Sequence, residues 1–155
     1  MVKIRKVKKS DFYDVFNLYK ELYLAECPFD DNLNINYYET KESKNKVLKS
    51  IKSRKKTFLV AEEKDKVIGF VDGYMLNYSQ YIHKVAYLDH LCVNINYRKR
   101  GIGKLLINSF EEKMKEQGAK FIKLNAFSEN HAAISLYKKE DFSQYSVYYL
   151  KTIVD

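Results

Sequence analysis

The segment from Arg98 to Lys104 combines two glycines with four cationic side chains, between a strand-like run and a helical pattern. This concentration is unusual because the whole chain holds only four arginines and five glycines. The first backbone N–H groups of a helix are unpaired and carry partial positive charge, so they bind phosphate groups well. Glycines there let a phosphate approach the backbone without a Cβ in the way. The segment therefore indicates binding of a phosphate or pyrophosphate.

Two common phosphate-binding motifs do not match this segment. A P-loop requires Gly-x-x-x-x-Gly-Lys-Ser/Thr, whereas Gly101 and Gly103 are too close together and no Ser or Thr follows the lysine. A dinucleotide-binding fingerprint requires a third glycine where Leu106 stands. The pattern that fits is Arg-x-x-Gly-x-Gly at positions 98–103. It resembles the acetyl-CoA pyrophosphate loop of the GNAT family of N-acetyltransferases.

A second segment is similar to another motif of the same family, Asn-x-x-Ala-x-x-x-Tyr-x-x-x-Gly-Phe. Asn130, Ala133, Tyr137 and Phe142 fall in register with it. The departure is Asp141, where the family usually has glycine. Aspartate also tolerates left-handed backbone conformations, so we expect the turn to survive. The two motifs occur in the family's order, and the resemblance is specific over about 85–145.

The resemblance implies where acetyl-CoA, the co-substrate, binds. In the family, the strand before the loop offers backbone groups to the pantetheine arm, the loop binds the pyrophosphate, and the asparagine contacts the cofactor arm. The cofactor-binding residues implied in this sequence are Leu91, Cys92, Val93, Arg98, Lys99, Arg100, Gly101, Ile102, Gly103, Lys104, Asn130, Ala133 and Tyr137.

The resemblance also implies an acid for the reaction. In the family, the residue at the position of Tyr137 protonates the departing CoA thiolate. A phenol with a pKa of about 10 can donate to a thiolate whose parent acid has a pKa of roughly 8.5. Asn130 and Tyr137 are seven residues apart, so we place them on one helix face. Because the chain has 14 tyrosines, a packing role is the alternative for Tyr137.

A proton acceptor is needed because an amine like that of lysine, with a pKa of about 10.4, is mostly protonated at neutral pH. Asp89 is our candidate, because some diamine acetyltransferases of the family carry a carboxylate at this position; an ion pair with a nearby lysine is the alternative. His90 is adjacent, and adjacent strand residues point to opposite faces. We therefore expect only one of the two to face the acceptor. His83 and His131 are interpreted as exposed residues.

The cysteines and histidines indicate neither a disulfide framework nor a metal site. Cys27 and Cys92 are too few for the first, and with three scattered histidines they show no zinc spacing. We interpret Cys92 as a small buried residue, since direct transfer in a ternary complex needs no thiolate nucleophile. No apolar run approaches the roughly 20 residues that cross a bilayer, and no signal peptide is recognised. We expect a reduced, cytoplasmic protein without a membrane partner.

The elements that position these residues follow from hydrophobic periodicity. Strands are predicted at 2–7, 57–62, 67–76, 85–93, 121–127 and 145–153. Helices are predicted at 11–25, 41–54, from 102 to just before Gly118, and at 130–139, the third with Leu105, Leu106, Phe110 and Met114 on one face. The polar residues between 62 and 67 indicate a hairpin. This order predicts one α/β domain (α+β mixed sheet) over residues 1–155, with a central mixed β-sheet flanked by helices on both faces. It is the order that the resemblance to the GNAT, or acyl-CoA N-acyltransferase, fold implies.

The net charge of +8 is unevenly distributed. Residues 1–56 carry +6, residues 57–97 carry −2, and residues 98–155 carry +4. Such a balance suits a nucleic acid or a smaller anion, and charge alone does not decide between them. No recognisable nucleic-acid-binding module accompanies it, so we expect no nucleic-acid partner.

Our hypothesis is an N-acetyltransferase that transfers the acetyl group of acetyl-CoA to a primary amine of a small molecule or peptide. The transfer would be direct, in a ternary complex. A non-catalytic acyl-CoA-binding module of the same fold and a basic nucleic-acid-binding protein are the alternatives. Tyr23, Tyr37, Tyr38 and Tyr78 are candidates to line the acceptor pocket, with core packing as the alternative for each. A homodimer is left open.

Overall fold

The computed structural model describes residues 1–154 of the chain. It contains five strands and four α-helices, joined by loops and short 3₁₀ turns. The strands are β1 (Lys3–Lys6), β2 (Lys56–Glu63), β3 (Lys66–Leu76), β4 (Val85–Val93) and β5 (Phe121–Lys123). The helices are α1 (Phe12–Glu26), α2 (Lys41–Lys52), α3 (Ile102–Glu116) and α4 (His131–Lys139).

The strands form one mixed sheet in the order β1-β2-β3-β4-β5. The first four strands are antiparallel to their neighbours, and β5 is parallel to β4. A parallel pair requires a crossover connection, and α3 supplies it. The predicted mixed sheet with flanking helices is confirmed.

Each face of the sheet is covered by helices. Residues of α1 and α2, including Val15, Leu18 and Val47, pack on one face. Residues of α3, including Leu106 and Phe110, pack on the other, where side chains of α4 join them. Fully burying a large aliphatic or aromatic side chain contributes about 1.5–3 kcal/mol, so the two clusters hold the helices against the sheet.

Three predictions of the sequence analysis are wrong in detail. Residues 145–153 form no strand, and Tyr149 and Leu150 are 93% and 95% exposed. The strand predicted at 121–127 ends at Lys123. Leu105 is exposed, whereas Leu106, Phe110 and Met114 are buried as predicted. Local β-propensity does not produce a strand where no neighbouring strand pairs with the segment.

Across residues 1–154, no helix is both long enough and apolar enough to cross a membrane.

Candidate active site

The strands β4 and β5 pair only over a short stretch, which leaves the rest of β4 without a strand on one side. Only Val85–Tyr87 of β4 pairs with Phe121–Lys123 of β5. Residues 88–93 of β4 therefore have no neighbouring strand on that side within the described chain. The backbone edge of such a stretch can bond an extended ligand much as it would bond another strand.

The α3 N-terminus follows β4 after the loop at 94–101. Gly101 adopts a left-handed conformation with φ of +77°, which glycine reaches without steric cost. Leu105 N–H bonds back to Gly101 O at 3.1 Å, so the preceding N–H groups lack the intrahelical partners that later residues have. A Cβ on Gly103 would lie 3.2 Å from the side chain of Leu136. Glycine there keeps α3 close to α4, and the geometry fits a pyrophosphate at the helix start.

The side chains of this loop are less available than its backbone. Arg98 donates to Val93 O at 2.9 Å and pairs with Glu21 at 3.2 Å. Arg100 pairs with Glu63 at 2.6 Å. These carboxylates offset the charge of both arginines, so phosphate binding depends more on the backbone N–H groups than the sequence indicates. Neither Glu21 nor Glu63 is close to the loop in sequence.

The other loop cations are freer. Lys104 has a carboxylate at 3.8 Å, that of Glu140. Lys99 makes no ion pair within residues 1–154 and adopts a left-handed φ of +60°. These two lysines can therefore contribute positive charge to a bound anion.

The strand residues before the loop divide between the two faces. Leu91 and Val93 are partly buried against the cluster on the α3 face, and both lie in the stretch of β4 that β5 does not pair with. Cys92 points to the other face, and its thiol donates to Leu18 O at 3.4 Å. Burial raises the pKa of the Cys92 thiol to about 12. The interpretation of Cys92 as a small buried residue is confirmed.

The start of α4 differs from the prediction. Asn130 is the residue before the helix, and its side-chain oxygen accepts the N–H of Ala133 at 3.2 Å. Asn130 is thus the N-cap of α4 rather than a member of a helix face shared with Tyr137. The helix ends in a turn in which Asp141 adopts a φ of +65°, as expected for a residue that replaces glycine.

Tyr137 lies on the side of α4 that faces the sheet. Its ring contacts Phe142 in an edge-on arrangement at 5.8 Å, and it packs against the cluster on the α3 face. Burial, with a smaller contribution from the charge of Glu26, raises the pKa of Tyr137 to about 12. The phenol therefore stays protonated at neutral pH and can act as a proton donor.

A β-bulge interrupts β4 at Asp89. Asp72 of β3 pairs with His90, but the next residue, Gly73, pairs with Leu88, so Asp89 is the extra residue. A Cβ on Gly73 would lie only 2.1 Å from the carbonyl oxygen of Tyr87. Because Gly73 has no side chain, β3 and β4 can approach each other closely at this point.

The bulge brings Asp89 and His90 to the same group of charged residues, so the expectation that they point to opposite faces is wrong. The period of two along a strand fails where an extra residue is inserted. His90 Nδ1 lies 2.8 Å from Asp72 Oδ1 and 3.5 Å from Asp89 Oδ2. Lys56 Nζ bonds both carboxylates, at 3.0 Å from Asp72 and 3.1 Å from Asp89.

Asp72 is the centre of this group, which we call the Asp72 cluster: Tyr19, Lys56, Asp72, Asp89 and His90. The side chain of Asp72 is fully buried, and the Tyr19 hydroxyl donates to it at 2.6 Å. Burial by itself raises the pKa of Asp72, but the bonds and charges of its partners outweigh it, so that its pKa lies below the usual value. Asp72 is therefore ionised at neutral pH.

The pKa values of the two cations in the Asp72 cluster are raised. Burial lowers the pKa of His90, but the hydrogen bond and charge of Asp72, with the charge of Asp89, raise it above 6.5 overall. Lys56 follows the same pattern, with burial opposed by the charges of both carboxylates. The donor atoms of Asp72, Asp89 and His90 lie within 4.8 Å of one another, as in metal sites. The Lys56 ammonium already bonds both carboxylates and would repel a metal cation.

Sequence reasoning missed three residues of this region. Lys56 and Asp72 are brought to His90 by strand pairing; the only sequence signal was an acid inside the apolar run of β3. Glu26, the last residue of α1, is half-buried and makes no hydrogen bond or ion pair within residues 1–154. Its charge interacts with that of His90 and raises the pKa of Tyr137, so Glu26 lies within electrostatic range of both side chains.

The tyrosines that were candidates to line the acceptor pocket mainly contact each other. Tyr23, Tyr37 and Tyr38 form a group with ring centroids 5.1–5.7 Å apart. Tyr78 contacts Tyr81 at 5.3 Å in the loop after β3. These contacts are the aromatic packing that was the alternative to a role in lining the acceptor pocket. The two remaining histidines, His83 and His131, are exposed, as predicted.

Comparison with known proteins finds a family match and several relatives. The model of the acetyltransferase (GNAT) family matches residues 12–142. An uncharacterized N-acetyltransferase of Methanocaldococcus jannaschii is 33% identical over 147 residues, which are 93% of this chain. The chain covers 62% of the length of that relative.

Solved structures share the fold. The BH1408 protein of Bacillus halodurans, as a tetramutant, superposes with a TM-score of 0.86 at 21% identity, over 97% of this chain and 99% of that one. The aminoglycoside acetyltransferase AAC(6')-Iy, in complex with a CoA-containing bisubstrate analogue, gives 0.75 at 17% identity, over 98% and 99%. The family match, together with the unpaired edge of β4 and the loop at the start of α3, leads to one conclusion: the chain belongs to the GNAT family of acetyltransferases.

Proposed function

We propose that the protein transfers the acetyl group of acetyl-CoA to a primary amine of a small molecule or peptide, directly in a ternary complex. One observation supports this above the others: the free edge of β4 runs into the α3 N-terminus, giving a place for an extended arm that ends in a pyrophosphate. Family membership supports the same activity.

The residues that would hold acetyl-CoA are those of the free β4 edge and the loop. Acetyl-CoA supplies an activated acetyl thioester. Leu91, Cys92 and Val93 offer backbone groups to the arm, and the residues from Arg98 to Lys104 bind the phosphates. Asn130 and Ala133, at the capped start of α4, flank the arm. Tyr137 donates its phenolic proton to the departing sulfur. Asp89 is the proposed carboxylate beside the acceptor amine.

An acceptor screen tests this function. Polyamines, amino acids, aminoglycosides and peptides with free N-termini are incubated with acetyl-CoA, and released CoA thiol is measured. Aminoglycosides belong in the panel because solved neighbours of the same fold are aminoglycoside acetyltransferases. We expect acceptor-dependent release. Binding of acetyl-CoA without release from any amine would favour the non-catalytic module. Nucleic-acid binding that falls steeply with salt and ignores CoA would favour the third alternative.

The double substitution Lys99→Glu/Lys104→Glu should weaken CoA binding about tenfold or more, because charge-assisted contacts to phosphate are lost. Calorimetric titration with CoA measures the effect. Lys46→Glu/Lys49→Glu, the same charge change on α2, is the matched control. An equal loss of CoA affinity in both variants would mean that only the overall charge matters. Unchanged CoA affinity in both would mean that the phosphates of CoA do not bind to this loop.

We also propose that a second copy of the chain covers residues 143–154. The segment carries exposed apolar side chains at seven positions: Tyr145, Val147, Tyr148, Tyr149, Leu150, Ile153 and Val154. The outer edge of β5 has no strand neighbour within the described chain. At roughly 150–250 Å² for each tyrosine, reciprocal pairing of two such segments with two β5 edges buries on the order of 1,600 Å², the size of a stable interface.

Light scattering coupled to gel filtration tests this proposal. We expect a dimer for the unmodified chain and a monomer for Tyr149→Lys/Leu150→Lys. The control Ile35→Lys/Ile82→Lys changes two exposed apolar residues elsewhere and should remain a dimer. A monomeric unmodified chain would overturn the proposal.

A further inference from the structure

We propose that His90 is the base that takes the proton from the acceptor ammonium, and that Asp72 is the positioning residue that orients its imidazole. The inference rests on the proposed acetyltransferase function and deepens it. It assigns the proton transfer to a residue other than Asp89.

The imidazole of His90 is fixed on two sides. Nδ1 lies 2.8 Å from the fully buried Asp72 carboxylate, and the ring meets Tyr19 edge-on at 5.0 Å. A carboxylate acceptor at Nδ1 holds the hydrogen of the neutral ring there, which leaves the lone pair on Nε2. Nε2 makes no hydrogen bond within residues 1–154, and the side chain is 34% exposed. His90 therefore presents an oriented basic nitrogen at an accessible edge.

Asp89 is less suited to the same task. Its carboxylate is bonded to Lys56 at 3.1 Å, so moving a proton onto it would break that ion pair. A carboxylate is also a weaker base than an imidazole. Within the Asp72 cluster, Asp89 instead adds negative charge beside His90 Nδ1, at 3.5 Å.

The groups that face His90 come from four elements. Tyr19 and Glu26 lie on α1, Lys56 on β2, Asp72 on β3 and Asp89 on β4 itself. Asp72 and Asp89 both bond the ammonium of Lys56, and Glu26 adds a carboxylate within electrostatic range of His90. This surplus of acidic groups favours a cationic acceptor as well as a protonated imidazole. The charge of Glu26 also raises the pKa of Tyr137, so this carboxylate lies within electrostatic range of both the proposed base and the proposed acid.

The proton balance is complete with these two residues. The acceptor ammonium gives one proton to His90 Nε2 and becomes a neutral amine. Its nitrogen forms a bond to the acetyl carbonyl carbon, and the carbon–sulfur bond breaks. Tyr137 donates a proton to the sulfur. The second nitrogen proton, released as the amide forms, restores the phenol, and His90 passes its own proton to solvent.

NMR titration of the histidine side chains tests the positioning without any acceptor. The chain has only three histidines, and His90→Gln assigns the signal of His90. We expect its pKa to lie above 6.5 and to fall in Asp72→Asn, with His83 and His131 as internal references. An unchanged His90 titration in folded Asp72→Asn would overturn the role of Asp72.

Kinetics with an acceptor from the screen test the proton transfer. We expect His90→Gln to lower kcat/KM by about 10²–10⁴-fold while acetyl-CoA affinity is kept. Added imidazole should rescue His90→Ala. In the unmodified protein kcat/KM should rise with pH through the His90 pKa, and this limb should move to lower pH in Asp72→Asn. His83→Gln is the control.

Two outcomes separate the hypotheses. Full activity of His90→Gln, or loss of the pH limb in Asp89→Asn but not in His90→Gln, would overturn the assignment and leave the acetyltransferase function intact. Absence of turnover with every amine would instead contradict the proposed function, while the NMR titration still decides how Asp72 orients His90.

Discussion

The substitution Tyr137→Phe should lower kcat by about 10²–10⁴-fold, the usual contribution of a general acid. The pKa of the Tyr137 phenol is raised to about 12. The phenol is therefore protonated at neutral pH and can donate to a thiolate whose parent thiol has a lower pKa. Phenylalanine keeps the ring contact with Phe142 and removes only the hydroxyl. Steady-state kinetics at saturating acetyl-CoA measure the loss.

Binding data distinguish this acid role from packing. We expect CoA affinity and thermal stability of Tyr137→Phe to stay close to those of the unmodified protein. Tyr13→Phe, on an exposed tyrosine of α1, is the matched control. If Tyr137→Phe keeps full kcat, the phenol is not the acid, and Tyr137 belongs to the core on the α3 face.

The substitution Asp72→Ala should lower the free energy of unfolding by about 3–5 kcal/mol, the cost of breaking a buried ion pair. Removing the carboxylate leaves the Lys56 ammonium and the Tyr19 hydroxyl without their bonds at 3.0 and 2.6 Å. Urea denaturation measures the change. Asp31→Ala, which removes an exposed aspartate, should change stability little, and an equally small effect at position 72 would contradict our view of the Asp72 cluster.

The loss of stability in Asp72→Ala should depend on pH in a direction that the two pKa shifts determine. The pKa of Asp72 is lowered by folding, so its contribution is present above the ordinary value of 3.8 and is lost as pH falls through the folded-state pKa. The pKa of His90 is raised, so its contribution is present below 6.5 and is lost as pH rises through the folded-state pKa. The difference in the free energy of unfolding between the unmodified protein and Asp72→Ala should be largest between pH 3.8 and pH 6.5. It should become smaller at alkaline pH.

Local sequence patterns predicted most of the fold. The helix expected at 11–25 is α1, Phe12–Glu26, and the hairpin strands expected at 57–62 and 67–76 are β2 and β3. These elements have amphipathic or apolar patterns that bury a continuous face, so periodicity identifies them. The segment 145–153 has the same strand-like composition, but it forms no strand. A strand also needs hydrogen bonds to a neighbouring strand, and composition does not predict whether that pairing forms.

The turns of the loop and of α4 were predicted because residues adjacent in sequence determine them. Gly101 and Asp141 adopt the left-handed conformations that their positions require. The ion pairs of Arg98 with Glu21 and of Arg100 with Glu63 were not predicted, because they join residues 77 and 37 positions apart. Which loop charges remain for a ligand is therefore a property of the folded chain.

The sequence by itself indicated the family, and it supplied the proposals that the loop binds phosphate and that Tyr137 is the acid. The tertiary structure alone decided the surroundings of the proposed base. Alternation along β4 separates Asp89 from His90, but the bulge opposite Gly73 brings them to one group, and strand pairing adds Asp72 and Lys56. The physical reason is that a bulge depends on the backbone of the neighbouring strand, and the pairing of distant strands is formed only when the whole sheet folds.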